Sequence, residues 1–274
     1  FAGNPWLYLF LVWEHDDRPA AFEGPKSSSV MKVRMPGTRE VRGSRTIILG
    51  RRHGGGCGAF GPEADCIPTE GRSHVGGALG FNSRGELFVG VGDGAIAIIT
   101  PVAHRSQMMG IYSGKILRIN QDGEAIRSNP FFDGDVDHRN SKIWALGFRN
   151  PLHLHVSPSS DDVIYVGDTQ WHDREEVNVV RRGNNMGWPC YEATLRRSEF
   201  ASAPVCRGRP RSDFDFPLVS WPHADSAASM IGPRISLPRW PTYYRSCIVY
   251  GDIAANWIGF ARVTDGDRLV EDLH

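Results

Sequence analysis

No run of eighteen apolar residues occurs in the 274-residue chain, so the sequence offers no helical membrane span. Net charge is also absent. Lys and Arg together number 31, as do Asp and Glu, which removes the basic footprint that a nucleic-acid partner requires. There is no Cys-x-x-Cys, which argues against a zinc ribbon. There is no Asn-x-Ser/Thr, so glycosylation says nothing about compartment. Nothing reads as a helix of more than a few turns, and the 31 Gly and 18 Pro punctuate the chain as turns do.

What the chain has is a repeated phrase. "LFVGVGD" at 87–93 returns as "IYVGDT" at 164–169 and "IVYGDI" at 248–253, with a weaker copy, "WLYLFL", at 6–11. Each is followed by a second apolar-alternating segment that stops at glycine: "VMKVRMPG", "GKILRINQDG", "EEVNVVRRG" and "GFARVTDGD". Tyr8, Phe88, Tyr165 and Val249 then mark a period near 80 residues. A fixed period with strand-turn-strand content predicts an all-β repeat fold, a β-propeller with about four blades' worth of sequence and long inter-strand loops. Gly90, Gly92 and Ala95 do match a dinucleotide fingerprint, G-x-G-x-x-A. That fingerprint needs a helix next, and "DGAIAIITPVAH" has no amphipathic stripe, so these glycines are assigned to a blade turn.

The five cysteines form two short brackets and a remainder. Cys57 with Cys66, and Cys190 with Cys206, each enclose a loop that a disulfide would staple, leaving Cys247 single. Disulfides imply an extracellular or periplasmic setting, and five reduced thiols in a cytosolic protein is the alternative. "PWLYLFLVW" lacks the basic flank and cleavage site of a signal peptide and is read as the first strand of the repeat. One propeller domain over residues 1–274, forming part of a longer chain, is the expected organisation.

Four stretches could carry chemistry. His74 opens the strand pair that Asp93 closes, and an imidazole held by a carboxylate is the usual build of a general base. The competing reading is structural, because Gly-Asp recurs in later units. Arg149-Asn150 follows an apolar strand and precedes Pro151, offering donors for a carbonyl-rich ligand or simply holding a turn. "GDTQWHDREEVN" (167–178) crowds Asp168, Asp173, Glu175 and Glu176 together with irregular backbone carbonyls. Calcium suits that many oxygens, and Arg174, Arg181 and Arg182 are the alternative source of balancing charge. "NNMGWPCYEA" (184–193) reads as a tight turn anchored by Trp188.

"HVGGALGFNSRGELFVGVGDG", "SGKILRINQDG", "SKIWALGFRNP", "GDTQWHDREEVNVVRRGNNMGWPCYEA" and "GDIAANWIGFARV" together resemble the glucose/sorbosone dehydrogenase family. These are soluble quinoprotein sugar dehydrogenases and their relatives, six-bladed propellers, and the resemblance runs over nearly the whole chain. It implies a secreted enzyme that passes a hydride from a sugar or polyol to pyrroloquinoline quinone (PQQ). It implies His74 as base, Asp93 as its orienting carboxylate, and Arg149 and Asn150 at the quinone carbonyls. It further implies Gln170 and Trp171 carbonyls on a catalytic Ca²⁺, and Glu176 and the Met186 carbonyl on a structural one. Two departures stand out: Ala255 or Asn256 occupies the place of the family's cofactor-binding Lys, and Gln170-Trp171 replaces a Gly-Pro. The family's later Arg pair would lie past His274. Related domains without the quinone serve as extracellular binding or assembly modules, so a non-catalytic propeller with a protein partner is the alternative function.

Overall fold

The computed structural model describes residues 5–14, 26–61, 63–71, 73–96, 99–223 and 228–273. They form four successive antiparallel sheets of four strands. The first holds β1 (Trp6–Trp13), β2 (Ser27–Arg34), β3 (Thr46–Leu49) and β4 (Ile67–Pro68), with β1 on one edge of β2 and β3 and β4 sharing the other. The second is β5 (Gly76–Phe81), β6 (Leu87–Val91), β7 (Lys115–Ile119) and β8 (Ile143–Leu146), in that order. The third runs β9 (Pro151–Val156), β10 (Ile164–Asp168), β11 (Arg174–Val180) and, after a two-stranded ribbon β12 (Tyr191–Glu192) and β13 (Leu195–Arg196), β14 (Val219–Pro222). The fourth is β15 (Ser229–Arg234), β16 (Cys247–Asp252), β17 (Trp257–Val263) and β18 (Leu269–Leu273). The one α-helical turn among the described residues is α1 (Arg139–Lys142), and no helix is long and apolar enough to cross a membrane.

The repeat seen in the sequence is the second and third strand of each later sheet. Phe88, Tyr165 and Val249 sit in β6, β10 and β16, and β7, β11 and β17 follow them. In the first sheet β1 and β2 take those two places, and no strand equivalent to β5 is present among the described residues.

Successive sheets stack face to face, which explains why their central strands are apolar on both sides. Side chains alternate across a strand. Leu87, Val89 and Val91 therefore enter the core between the first two sheets, while Phe88 enters the core between the second and third. Ile164 and Val166 likewise face back, and Tyr165 faces forward to Trp221, Ile248 and Tyr250. A fourth cluster under the ribbon joins Trp188, Tyr191, Phe200 and Phe214 to the disulfide Cys190–Cys206. Each buried Val, Leu or Ile adds about 1.5–3 kcal/mol. The second expected disulfide, Cys57–Cys66, is also formed, and Cys247 is a buried free thiol.

The glycines of "GVGD" serve close approach of backbones. A Cβ on Gly92 would lie 1.9 Å from the His74 carbonyl, and one on Gly90 would lie 2.7 Å from the Pro151 carbonyl. Both starts of the neighbouring first strands press against β6 there, so no side chain fits.

Behind this end of the second sheet, Lys115 is fully buried and its ammonium donates to three carbonyls, Arg105 (2.8 Å), Ser106 (3.0 Å) and Ser113 (2.8 Å). Burial pushes its pKa down from 10.5 to about 7. Between those two values the unfolded chain binds a proton that the folded chain has released. Stability from this group therefore rises as pH climbs from about 7 towards 10.5. Urea midpoints of the parent and Lys115→Met should show it, with the larger rise in the parent, since buried Lys142, also held below its ordinary pKa, contributes to both.

Candidate active site

The sequence-predicted residues gather where first strands begin and second strands end. The link from β4 to β5 supplies His74, the end of β6 supplies Asp93, and the four-residue link from β8 to β9 supplies Arg149 and Asn150. The end of β10 supplies Asp168 and, just after it, Gln170 and Trp171. Gly-Asp recurs because a carboxylate at this position can tie the strand end to its neighbours.

His74 and Asp93 are in contact. The imidazole Nδ1 lies 3.1 Å from Asp93 Oδ1, and both side chains are buried. With Asp93 ionised, Nδ1–H donates to it and Nε2 is left as an acceptor. His74 is held in left-handed backbone at φ 56°, its carbonyl accepting from the Gly94 amide at 3.0 Å. Such a conformation on a non-glycine residue persists only where surrounding bonds impose it. Asp93 is in turn fixed at both oxygens: Ala95 N donates to Oδ1 at 2.8 Å and Trp188 Nε1 to Oδ2 at 2.8 Å.

Trp188 is thus a site residue that the sequence presented only as a turn anchor. Its ring also lies 5.6 Å from the Arg149 guanidinium and stands edge-on to Trp171 and Phe200. Asp252 accepts from Trp221 Nε1 at 3.0 Å in the same way, so an Asp–indole pair is a repeated device of this fold. The signal was available in the recurring Gly-Asp, but the partnering tryptophan lies 95 residues from Asp93.

Arg149 is buried, and its Nη1 donates to the Thr169 carbonyl at 2.9 Å and to the Gln170 carbonyl. Its Nε has no partner. Burial lowers its pKa, while Asp93, Asp168, Glu175 and Glu192 oppose that shift. Asn150 makes a structural contact. Its Oδ1 accepts from the Gly76 amide at 3.0 Å and so pins the start of β5. Asp168 holds the same link from below, accepting from the Arg149 amide at 3.0 Å and the Asn150 amide at 2.6 Å.

The acidic turn divides into partnered and unpartnered groups. Glu175 bonds the Gln170 amide (3.1 Å), the Ser229 amide (3.2 Å) and His223 Nδ1 (2.8 Å). Asp173 pairs with Arg197. Arg174, Arg181 and Arg182, the alternative balancing charges, are engaged elsewhere: on Ser220, on Gly266 with Asp267, and on Ser128. Strand alternation and the ribbon insertion bring Arg197, Arg149 and His223 in instead. Asp168 and Glu176 are direct cross-strand partners, both fully buried. Burial pushes Asp168 up to about 7, and burial together with Asp168 pushes Glu176 well above the usual carboxylate range. Three acceptors in this cluster lack a donor: Glu176 Oε2, Asn178 Oδ1 and Gln170 Oε1. Their side chains are linked, since Asn178 Nδ2 donates to Glu176 Oε1 (2.9 Å) and Gln170 Nε2 to Asp168 (2.9 Å). Met186 lies beyond β11 with its side chain in the core between second and third sheets, its amide bonded to the Leu146 carbonyl at 2.9 Å. Among the described residues, no group of three or more His, Cys, Asp or Glu is arranged to hold a metal ion. Any cation here would draw on amide and carbonyl oxygens as well.

Similar proteins support the fold and the family. Aldose sugar dehydrogenase YliI of Escherichia coli is 24% identical over 202 residues, covering 73% of this chain and 52% of that protein. The chain thus spans about half the length of this relative. Among solved structures, a glucose dehydrogenase superposes with a TM-score of 0.71 at 21% identity, over 99% of this chain and 69% of the other. The PQQ-bound form of aldose sugar dehydrogenase from Streptomyces coelicolor gives a TM-score of 0.66 at 18% identity, over 99% and 62%. The model of the Glucose / Sorbosone dehydrogenase family matches residues 65–272, a span that holds His74, Asp93, Arg149 and the acidic turn, and the chain belongs to that family.

Proposed function

We propose that this chain carries the catalytic face of a sugar or polyol dehydrogenase that uses PQQ and Ca²⁺, in an extracytoplasmic setting. The single observation that carries the reading is the buried His74–Asp93 pair locked by Trp188 beside Arg149. On this reading the four sheets are four blades of one propeller domain.

The cluster around Glu176 fits a hard cation. Glu176 Oε2, Asn178 Oδ1 and Gln170 Oε1 are buried acceptors without donors, and such groups are costly unless something positive meets them. Glu176, with the Met186 carbonyl, would hold a structural Ca²⁺. The Gln170 and Trp171 carbonyls would hold the catalytic one, Gln170 sharing its oxygen with Arg149, since a carbonyl has two lone pairs. The quinone fits at its carbonyl end, where Arg149 presents a buried guanidinium with an unpartnered Nε. The turn between β16 and β17 supplies Ala255 and Asn256 rather than a Lys for its carboxylates.

When bound, the quinone supplies the hydride acceptor for the anomeric carbon of the sugar. Asp93 keeps the His74 proton on Nδ1, so that Nε2 can take the proton of the sugar hydroxyl. Trp188 and Ala95 keep Asp93 from turning away. Arg149 places positive charge where negative charge develops on an oxygen. Trp171, Trp188 and Phe200 pack edge to face into an apolar wall beside Arg149.

Purified protein with added PQQ, Ca²⁺ and an artificial dye should reduce the dye with at least one sugar of an aldose and polyol panel. No turnover, together with no change in quinone absorbance on mixing, would sink the enzyme reading. It would leave the non-catalytic extracellular module, which the Ala255-Asn256 turn favours.

A further inference from the structure

We infer that Glu192 is a positioning residue for the cation-bearing turn, acting from the disulfide-stapled ribbon; the inference rests on the calcium-dependent reading above. Glu192 lies in β12, two residues after Cys190, and is fully buried. One carboxylate oxygen, Oε1, accepts from three consecutive amides: His172 at 2.7 Å, Asp173 at 2.6 Å and Arg174 at 3.0 Å. The other, Oε2, meets Arg197 Nη1 at 2.9 Å, and Arg197 lies 4.8 Å over the Trp171 ring.

The peptide bond makes this contact directional. In a planar trans peptide, N–H and the preceding C=O point opposite ways. An amide of His172 aimed at Glu192 therefore aims the Trp171 carbonyl away from it. The Asp173 carbonyl shows the rule, because it turns outward to accept from the His223 amide at 3.0 Å while the Arg174 amide turns inward to Glu192. Glu175 sets the Thr169–Gln170 plane in the same manner. Its Oε1 takes the Gln170 amide, and the Thr169 carbonyl faces Arg149 on the other side. Two buried carboxylates from separate strands thus fix the direction of the carbonyls on either side of Gln170. Glu192 owes its place to the ribbon, which is closed by Cys190–Cys206 and by the Arg197 amide donating to the Cys190 carbonyl at 2.9 Å.

Two readouts test this without turnover: hydrogen exchange of the peptide spanning 170–176, and Tb³⁺ luminescence sensitised by tryptophan, competed with Ca²⁺. Loss of a residue that orients metal ligands costs about 10–100-fold in metal affinity. Glu192→Ala should speed exchange at 172–174 and weaken Tb³⁺ and Ca²⁺ by that factor. Glu192→Gln, which keeps one acceptor oxygen, should fall between and covers the case in which the Ala variant does not fold. Leu195→Ala, an exposed change on the same ribbon, should alter neither. Unchanged exchange in the Glu192 variants, or faster exchange with unchanged cation affinity, would overturn the assignment. A parent protein that binds neither ion would overturn the calcium reading itself and with it the role given to Glu192.

Discussion

Replacing His74 with Asn is expected to cut sugar-dependent dye reduction about 10²–10⁴-fold, the usual contribution of a general base, with little change in melting temperature. Asn is the chosen replacement because it tolerates the positive φ of 56° that Ala would adopt with strain. The loss should fall on kcat, since Nε2 acts on a proton in flight rather than on bound sugar. Trp188→Phe provides the companion test. It keeps an aromatic ring against Arg149 and removes only the donor at 2.8 Å from Asp93 Oδ2. Asp93 then gains freedom to rotate, and turnover should fall, because the orientation of the His74 ring depends on that carboxylate. A His74→Asn protein that turns over like its parent would remove the imidazole from the mechanism.

Calcium is expected to raise the melting temperature by mass action. A ligand at 100 times its Kd adds about 2.7 kcal/mol to a folded state that alone binds it, which corresponds to about 5–10 °C for a chain of this size. Glu176→Gln should remove most of that rise. The amide keeps the shape of the side chain but withdraws the charge that would face the ion from Oε2. In chelator the variant should match or exceed the parent, because a neutral group is cheaper to bury beside Asp168. His74→Asn should leave the calcium response intact. Scanning calorimetry with and without Ca²⁺ or EGTA decides the matter. A melting temperature indifferent to both would show that Arg149, Arg197 and His223 balance the acidic turn alone.

The sequence by itself determined the strands, the repeat and the members of the central pair. Strand identity was legible at Phe88, Tyr165 and Val249 because strands buried on both faces become continuous apolar runs, and Gly-Asp marked where each run turned. The cysteine brackets were legible because short loops bring their ends together, as Cys57–Cys66 and Cys190–Cys206 show. The roles of His74 and Asp93 were open in the sequence, since a Gly-Asp that recurs as a turn carries no chemical label. Only the tertiary structure put them 3.1 Å apart with Trp188 on the far oxygen. It also tied Asn150 Oδ1 to the start of β5, and it brought Arg197 and His223 to the acidic turn in place of Arg174, Arg181 and Arg182. The reason is one of range. Periodicity and turn chemistry act over a few neighbours and are written locally, whereas charge balance and hydrogen bonding among buried groups are settled by whichever strands the stacked sheets bring together. Glu192 reaches the 172–174 amides from about twenty positions further along the chain, and no spacing rule in the sequence announces that approach.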